Sequence, residues 1–199
     1  ECDRDLMLLN SFKPLLSGRK KSVPDSAASS DSIKDVCVDD VFTVTGLSVE
    51  YEDSYFIVER VDRYESDVGQ WHEILGSDGN NKLWLQWSDA DGIQISAMAD
   101  GRPVGLSVLN LDDSDLERMD HEHSIDNSII YGGVQFYYQQ SSEAFHFPDG
   151  TGPGKGFYLW EFAGGEGAGI ISVVKWESMP FQVYFSEVVP LENVTVYKR

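Results

Sequence analysis

Two glutamates stand out as groups able to do chemistry, because each lies in a strand-like run beside large aromatics. Glu73 sits in Trp71-His72-Glu73-Ile74, and Glu161 ends Phe157-Tyr158-Leu159-Trp160-Glu161. A facing pair of carboxyls is the equipment of a glycosidase, in which one group protonates the leaving oxygen and the other acts as base or nucleophile. Glu161 alternates in step with Phe157 and Leu159, which points it toward an interior. The ordinary alternative is a buried carboxylate paired with an arginine such as Arg60 or Arg63. Aromatic faces beside carboxylates are also what an alkylammonium group prefers. The candidate ligand-binding residues are therefore Trp71, Glu73, Trp84, Trp160 and Glu161, and no residue is assigned a catalytic role.

Other motifs fall short of the chemistry they suggest. Gly150-Thr151-Gly152-Pro153-Gly154-Lys155-Gly156 is one residue too short for a phosphate loop. Gly156 stands where a Ser or Thr must reach magnesium, and no helix follows to aim its amides at a phosphate. Asp120-His121-Glu122-His123, read as an extended segment, places two imidazoles on one face with Asp126 nearby. Nothing local brings His72 or His146 to complete a zinc set. Asp89-Ala90-Asp91-Gly92 and Asp112-Asp113-Ser114-Asp115 lack the glycine and glutamate spacing of a calcium loop. No Gly-x-Ser-x-Gly elbow occurs, and Cys37 precedes Val38-Asp39-Asp40, a negative setting that disfavours a thiolate. No metal and no cofactor is expected.

The elements that must position these residues are strands. From Val41 onward apolar residues alternate with period two. Leu83, Leu85 and Trp87 share one face while Trp84 and Gln86 take the other; Phe181, Val183 and Phe185 alternate with Gln182, Tyr184 and Ser186. Eleven runs follow this rule, near 41–45, 55–62, 71–75, 83–87, 93–98, 134–139, 142–147, 157–162, 170–176, 181–188 and 193–198. Short turn-rich links between them require antiparallel pairing. Helix is expected only before Pro14 and over 112–119. Residues 17–35 have linker composition. The expected organisation is an N-terminal tail and linker (1–38), a strand-rich half (39–110), an acidic connector with a short helix (111–126) and a second, similar half (127–199). The expected fold is all-β, either an antiparallel β-sandwich or two small partly open barrels, one from each half.

Charge bounds the partners. The chain has 199 residues and a net charge of −19, and beyond residue 40 it holds 9 basic and 26 acidic residues. Such a field repels nucleic acid and anionic lipid and attracts cations or basic protein surfaces. No apolar run approaches the length of a membrane-spanning helix. Only Cys2 and Cys37 are present, too few for a disulfide scaffold; reduced thiols in the cytoplasm are expected, a Cys2–Cys37 bridge being the alternative.

The tryptophan-bearing runs Trp71-His72-Glu73-Ile74-Leu75, Leu83-Trp84-Leu85, Phe157 to Glu161 and Ile170-Ile171-Ser172-Val173-Val174-Lys175-Trp176-Glu177 resemble a bacterial family known only as a domain of unknown function. The resemblance covers about Asp39 to Arg199. It implies a β-rich fold and a gene neighbourhood of polyamine synthesis and membrane stress, and it brings no catalytic residues. Together these readings give, first, a non-enzymatic binding or adaptor module of the bacterial cytoplasm. The alternatives are a binding protein for a cationic small molecule such as a polyamine, and a hydrolase using acidic residues. A concave pocket holding the tryptophans and glutamates favours the small ligand. A flat apolar patch favours the adaptor.

Overall fold

The structure, a computed structural model, describes residues 33–199 except 49, 50, 52, 53, 91, 100 and 166. The helix expected before Pro14, the basic cluster Arg19-Lys20-Lys21 and Cys2 lie outside these residues. Eleven strands are present among the described residues: β1 Val41–Val44, β2 Phe56–Ser66, β3 Gly69–Ser77, β4 Lys82–Ser88, β5 Gln94–Ala99, β6 Ser128–Tyr131, β7 Val134–Phe147, β8 Lys155–Gly164, β9 Ile170–Trp176, β10 Gln182–Val189 and β11 Val194–Tyr197. The α-helix found among the described residues, α1 (Asp113–Glu122), lies between β5 and β6. Asp112 caps it by accepting from the amides of Ser114 and Asp115, and the Asp115 carboxylate accepts in return from the Asp112 amide. That reciprocal box explains why this acidic stretch turns helical.

All strands join one antiparallel sheet in the order β11-β1-β2-β3-β4-β5-β10-β9-β8-β7-β6. A further pairing of β2 with β7, through Arg63↔Phe147 to Ser66↔Ala144, closes the eight strands β2 to β5 and β7 to β10 into a barrel. The expectation of a sandwich or two barrels is thereby corrected. Each half is a meander with a short leading strand, but neither closes alone, because the seams β5–β10 and β2–β7 both run between halves. Closure removes the open edges that two separate four-stranded sheets would expose.

The two longest strands each change face at a bulge. In β2 the register shifts between Val58 and Arg60, and in β7 between Tyr138 and Gln140. One extra residue reverses which side chains point inward. Phe56 and Val58 therefore face an outer core, whereas Arg60 and Tyr64 face the barrel interior. Phe136 and Tyr138 likewise sit in an outer core ahead of the β7 bulge.

The main apolar cores lie outside the barrel wall. The first gathers Ile74, Leu83, Leu85, Ile95 and Ala97 beneath Phe42 and Val44 of β1 and Val194 and Val196 of β11. The second gathers Phe162, Ile171, Val173 and Val183 beneath Leu116 and Met119 of α1. Apolar burial of about 25 cal/mol per Å² is thus secured on the outer faces, which leaves the interior face free to carry polar side chains. No helix among the described residues is long and apolar enough to cross a membrane.

Candidate functional site

The interior of the barrel encloses a cavity of about 230 Å³. An eight-stranded barrel is just wide enough for such a space, sufficient for one small ligand. The strands supply its lining by alternation: Arg60 and Tyr64 from β2, Trp71 and Glu73 from β3, Trp84 and Gln86 from β4, Ser96 and Met98 from β5. The second half adds Phe157, Leu159 and Glu161 from β8, Ser172, Val174 and Trp176 from β9, and Tyr184 and Ser186 from β10.

Aromatic rings cluster along part of this lining. Tyr64 stacks on Trp71 at 5.2 Å and on His146 at 4.6 Å, and meets Phe157 edge-on at 6.0 Å. Phe157 in turn packs on Trp176 at 4.6 Å. Another wall rests on Trp84, whose indole lies flat against the chain at Gly101. A Cβ there would sit 2.7 Å from three ring carbons, and φ is +52°, so glycine alone fits.

The two glutamates differ in their surroundings. Glu73 is buried; it accepts from Gln86 Nε2 at 2.9 Å and from the Tyr64 hydroxyl at 3.3 Å, with the Arg60 guanidinium 3.9 Å away. Arg60 itself is held by Asp62 at 2.7 Å. Asp62, almost fully buried, also meets His146 Nε2 at 3.0 Å and accepts from the Asp149 amide at 3.0 Å. Glu161 accepts from the neutral Gln140 amide, and no basic side chain forms an ion pair with it among the described residues. It keeps part of its surface open to the cavity.

Burial pushes both carboxyls above their usual range. For Glu73 the Gln86 amide and Arg60 pull in the opposite direction, while for Glu161 only Gln140 does. Burial, with Glu73 and Asp62 beside it, drives the Tyr64 hydroxyl far up, so that it stays a donor. Burial and Glu73 likewise raise Tyr184, whose hydroxyl donates to Gln182 at 3.0 Å. The cavity is therefore acidic and aromatic, with one carboxyl per half.

Of the five residues singled out by sequence, Trp71, Glu73, Trp84 and Glu161 line this cavity together. Trp160 does not. It faces the second outer core, 4.5 Å from Tyr158 and 5.9 Å from Phe181, and its indole Nε1 has no hydrogen-bond partner among the described residues. Adjacent residues of a strand point to opposite faces, so Trp160 and Glu161 cannot share one pocket. Arg60, expected from sequence only as an arginine partner of a buried carboxylate, takes that place beside Glu73, while Tyr64, Trp176 and Tyr184 are not among the candidate residues. The alternation of Tyr184 against Val183 was the signal for that residue, while the bulge hid the facing of Arg60 and Tyr64.

The remaining motifs take structural places. Gly150–Gly156 lies in the connection from β7 into β8, where the Gly150 carbonyl accepts from Arg63 at 3.3 Å. Asp120–Glu122 form the last turn of α1 rather than an extended segment, and His123 caps it with φ of +44°. His123 Nδ1 lies 3.1 Å from the Tyr138 hydroxyl, which contacts Ser141 Oγ at 2.7 Å. Asp120 accepts from Ser141 and, at 2.7 Å, from Tyr158. Burial and that hydrogen bond push the Tyr158 hydroxyl up to about 12. This network pins α1 onto β7 and β8, and it directs the serine proton to a carboxylate already engaged. Among the described residues no three His, Cys, Asp or Glu side chains gather to hold a metal. Cys37 is exposed.

Fold and site define a closed, all-β barrel with an acidic, aromatic interior. The model of the family described as Domain of unknown function (DUF4178) matches residues 45–191. The chain belongs to that family. No curated protein and no solved structure matches it.

Proposed function

We propose that the barrel interior binds a compact organic cation, and that the protein acts as a small-molecule binding module. The observation that carries this reading is Glu161, a carboxyl enclosed by the barrel with a neutral amide as its partner, facing a cavity walled by aromatic rings. A buried charge without a counter-charge is costly. An ammonium group entering the cavity supplies the counter-charge and finds ring faces for its alkyl portion. The recessed geometry favours the small-ligand alternative over the adaptor expected first from sequence. The acidic exterior adds long-range attraction for cations, which salt screens.

The test is a thermal-shift panel of alkylamines, spermidine and, as opposite-charge controls, short carboxylic acids, at low and moderate salt. Ligand binding to the native state raises the midpoint with concentration. Amines are expected to stabilise the wild type and Glu117→Gln, an exposed control on α1, but not Glu161→Gln. The reading fails if no amine stabilises the protein, or if Glu161→Gln responds as the wild type does.

A further inference from the structure

Resting on that cation reading, we infer that the cavity selects a ligand with a single ammonium group and a compact apolar body, seated on Glu161, over ligands with two or more ammonium groups. The charge inventory of the cavity leads there. The Arg60 guanidinium already stands between Asp62 and Glu73, at 2.7 Å and 3.9 Å, as a tethered cation. Glu73 is further occupied by Gln86 and Tyr64. A second ammonium brought toward Glu73 meets the like charge of Arg60, a repulsion that water screens in part because Arg60 is 41% exposed. Glu161, the other cavity carboxyl, is partnered by the neutral Gln140 and has no ion pair among the described residues.

The surroundings of Glu161 suit an ammonium headgroup. Ser172 pairs directly with Glu161 across β8 and β9, and Ser186 lines the same cavity. Their hydroxyls offer acceptors for the donors of an ammonium that Glu161 leaves over. The space beyond is aromatic or aliphatic, from Trp84, Leu159, Val174 and Trp176. A volume of about 230 Å³ is that of about eight waters at about 30 Å³ each, which suits a small body.

Seating the ammonium shifts the proton balance of Glu161. Burial lifts this carboxyl above the usual carboxylate range, and a cation beside it pulls in the opposite direction, so binding is expected to release protons from it. The titratable or charged groups facing this site are Arg60 and Tyr64 from β2, Glu73 from β3 and Tyr184 from β10. Asp62 of β2 and His146 of β7 engage each other beside Tyr64. The lining side chains from β4, β5 and β9 carry no charge, and neither does Gln140 of β7.

Isothermal titration with isobutylamine, 1,4-diaminobutane and spermidine, in two buffers of different ionisation enthalpy, reads both affinity and protons released. The wild type is expected to bind isobutylamine at least tenfold more tightly than either polyamine, with proton release. Glu161→Gln is expected to lose at least about tenfold in affinity, the lower end of the worth of a hydrogen bond to a charged group, together with the proton release. Glu73→Gln is expected to retain both and to bind 1,4-diaminobutane no better. Tighter binding of the polyamines, binding without proton release, or equal losses in the two variants overturns the inference while leaving the cation reading standing. No binding of any amine overturns both.

Discussion

Replacing Asp62 by alanine tests whether the barrel is held shut by side chains as well as by its ladder. The closing seam between β2 and β7 has only four residue pairs, Arg63↔Phe147 to Ser66↔Ala144. Asp62 reinforces it from β2 by meeting His146 Nε2 and the Asp149 amide, both at 3.0 Å, while holding Arg60 at 2.7 Å. Hydrogen bonds to a charged group contribute about 1.5–3 kcal/mol each. Arg60 is 41% exposed and regains water once released, so its share is discounted. The two contacts across the seam then sum to about 3–6 kcal/mol, and relief of burying the Asp62 charge offsets part of this. A net loss of about 2–4 kcal/mol follows, or about 4–16 °C in midpoint at about 2–4 °C per kcal/mol for a chain of this size. Urea unfolding followed by tryptophan fluorescence measures it. Asp62→Asn, which still accepts from the Asp149 amide, is expected to lose less. Both variants unfolding within about 0.5 kcal/mol of the wild type, the range of ordinary surface changes, would refute the reasoning.

Three further outcomes follow from the packing and the charges. Gly76→Ala should destabilise by about 1–3 kcal/mol, because its Cβ would lie 2.6 Å from Phe42 Cζ and 2.8 Å from Phe56 Cβ; Gly165→Ala, with nothing within 4 Å, should be silent in the same urea assay. Tyr158→Phe removes a donor to Asp120 and should cost about 1 kcal/mol, read as faster amide exchange in α1 at little change elsewhere. Glu161→Gln should stabilise the empty protein at neutral pH. The carboxyl is raised in the folded state, so its favourable contribution is complete below the unfolded value of 4.5 and is lost as pH rises through the folded value. The gap between variant and wild type in thermal midpoint should therefore widen from acid to neutral pH, and a constant gap would contradict this.

The strands were legible because half-buried strands write their facing into a period of two. Leu83, Leu85 and Trp87 entered the outer core, and Trp84 and Gln86 the cavity, as their alternation requires. What interrupts that period also interrupts its reading. The runs 134–139 and 142–147 are one strand, β7, whose bulge after Tyr138 breaks the alternation between them. β6 (Ser128–Tyr131) reads Ser-Ile-Ile-Tyr, and its two adjacent isoleucines show no alternation, so it is not among the expected runs. Barrel closure depends on the β2–β7 and β5–β10 pairings, which join residues far apart in the chain and leave no local trace. For the site, alternation within 157–161 was enough to aim Glu161 inward, and the same rule aims Trp160 outward. That the interior rather than the outer face of the wall is the polar one emerges only from closure, since either face of an open sheet can meet water.

Carbon-13 NMR of the Glu161 side-chain carboxyl, assigned by loss of its signal in Glu161→Gln and followed against pH with and without saturating isobutylamine, addresses the central claim most directly. The account predicts that in the free protein this carboxyl titrates above the range of the exposed glutamates, and that the amine moves its midpoint down. Titration in the ordinary range in the free protein, or a midpoint that the amine leaves in place, would contradict it.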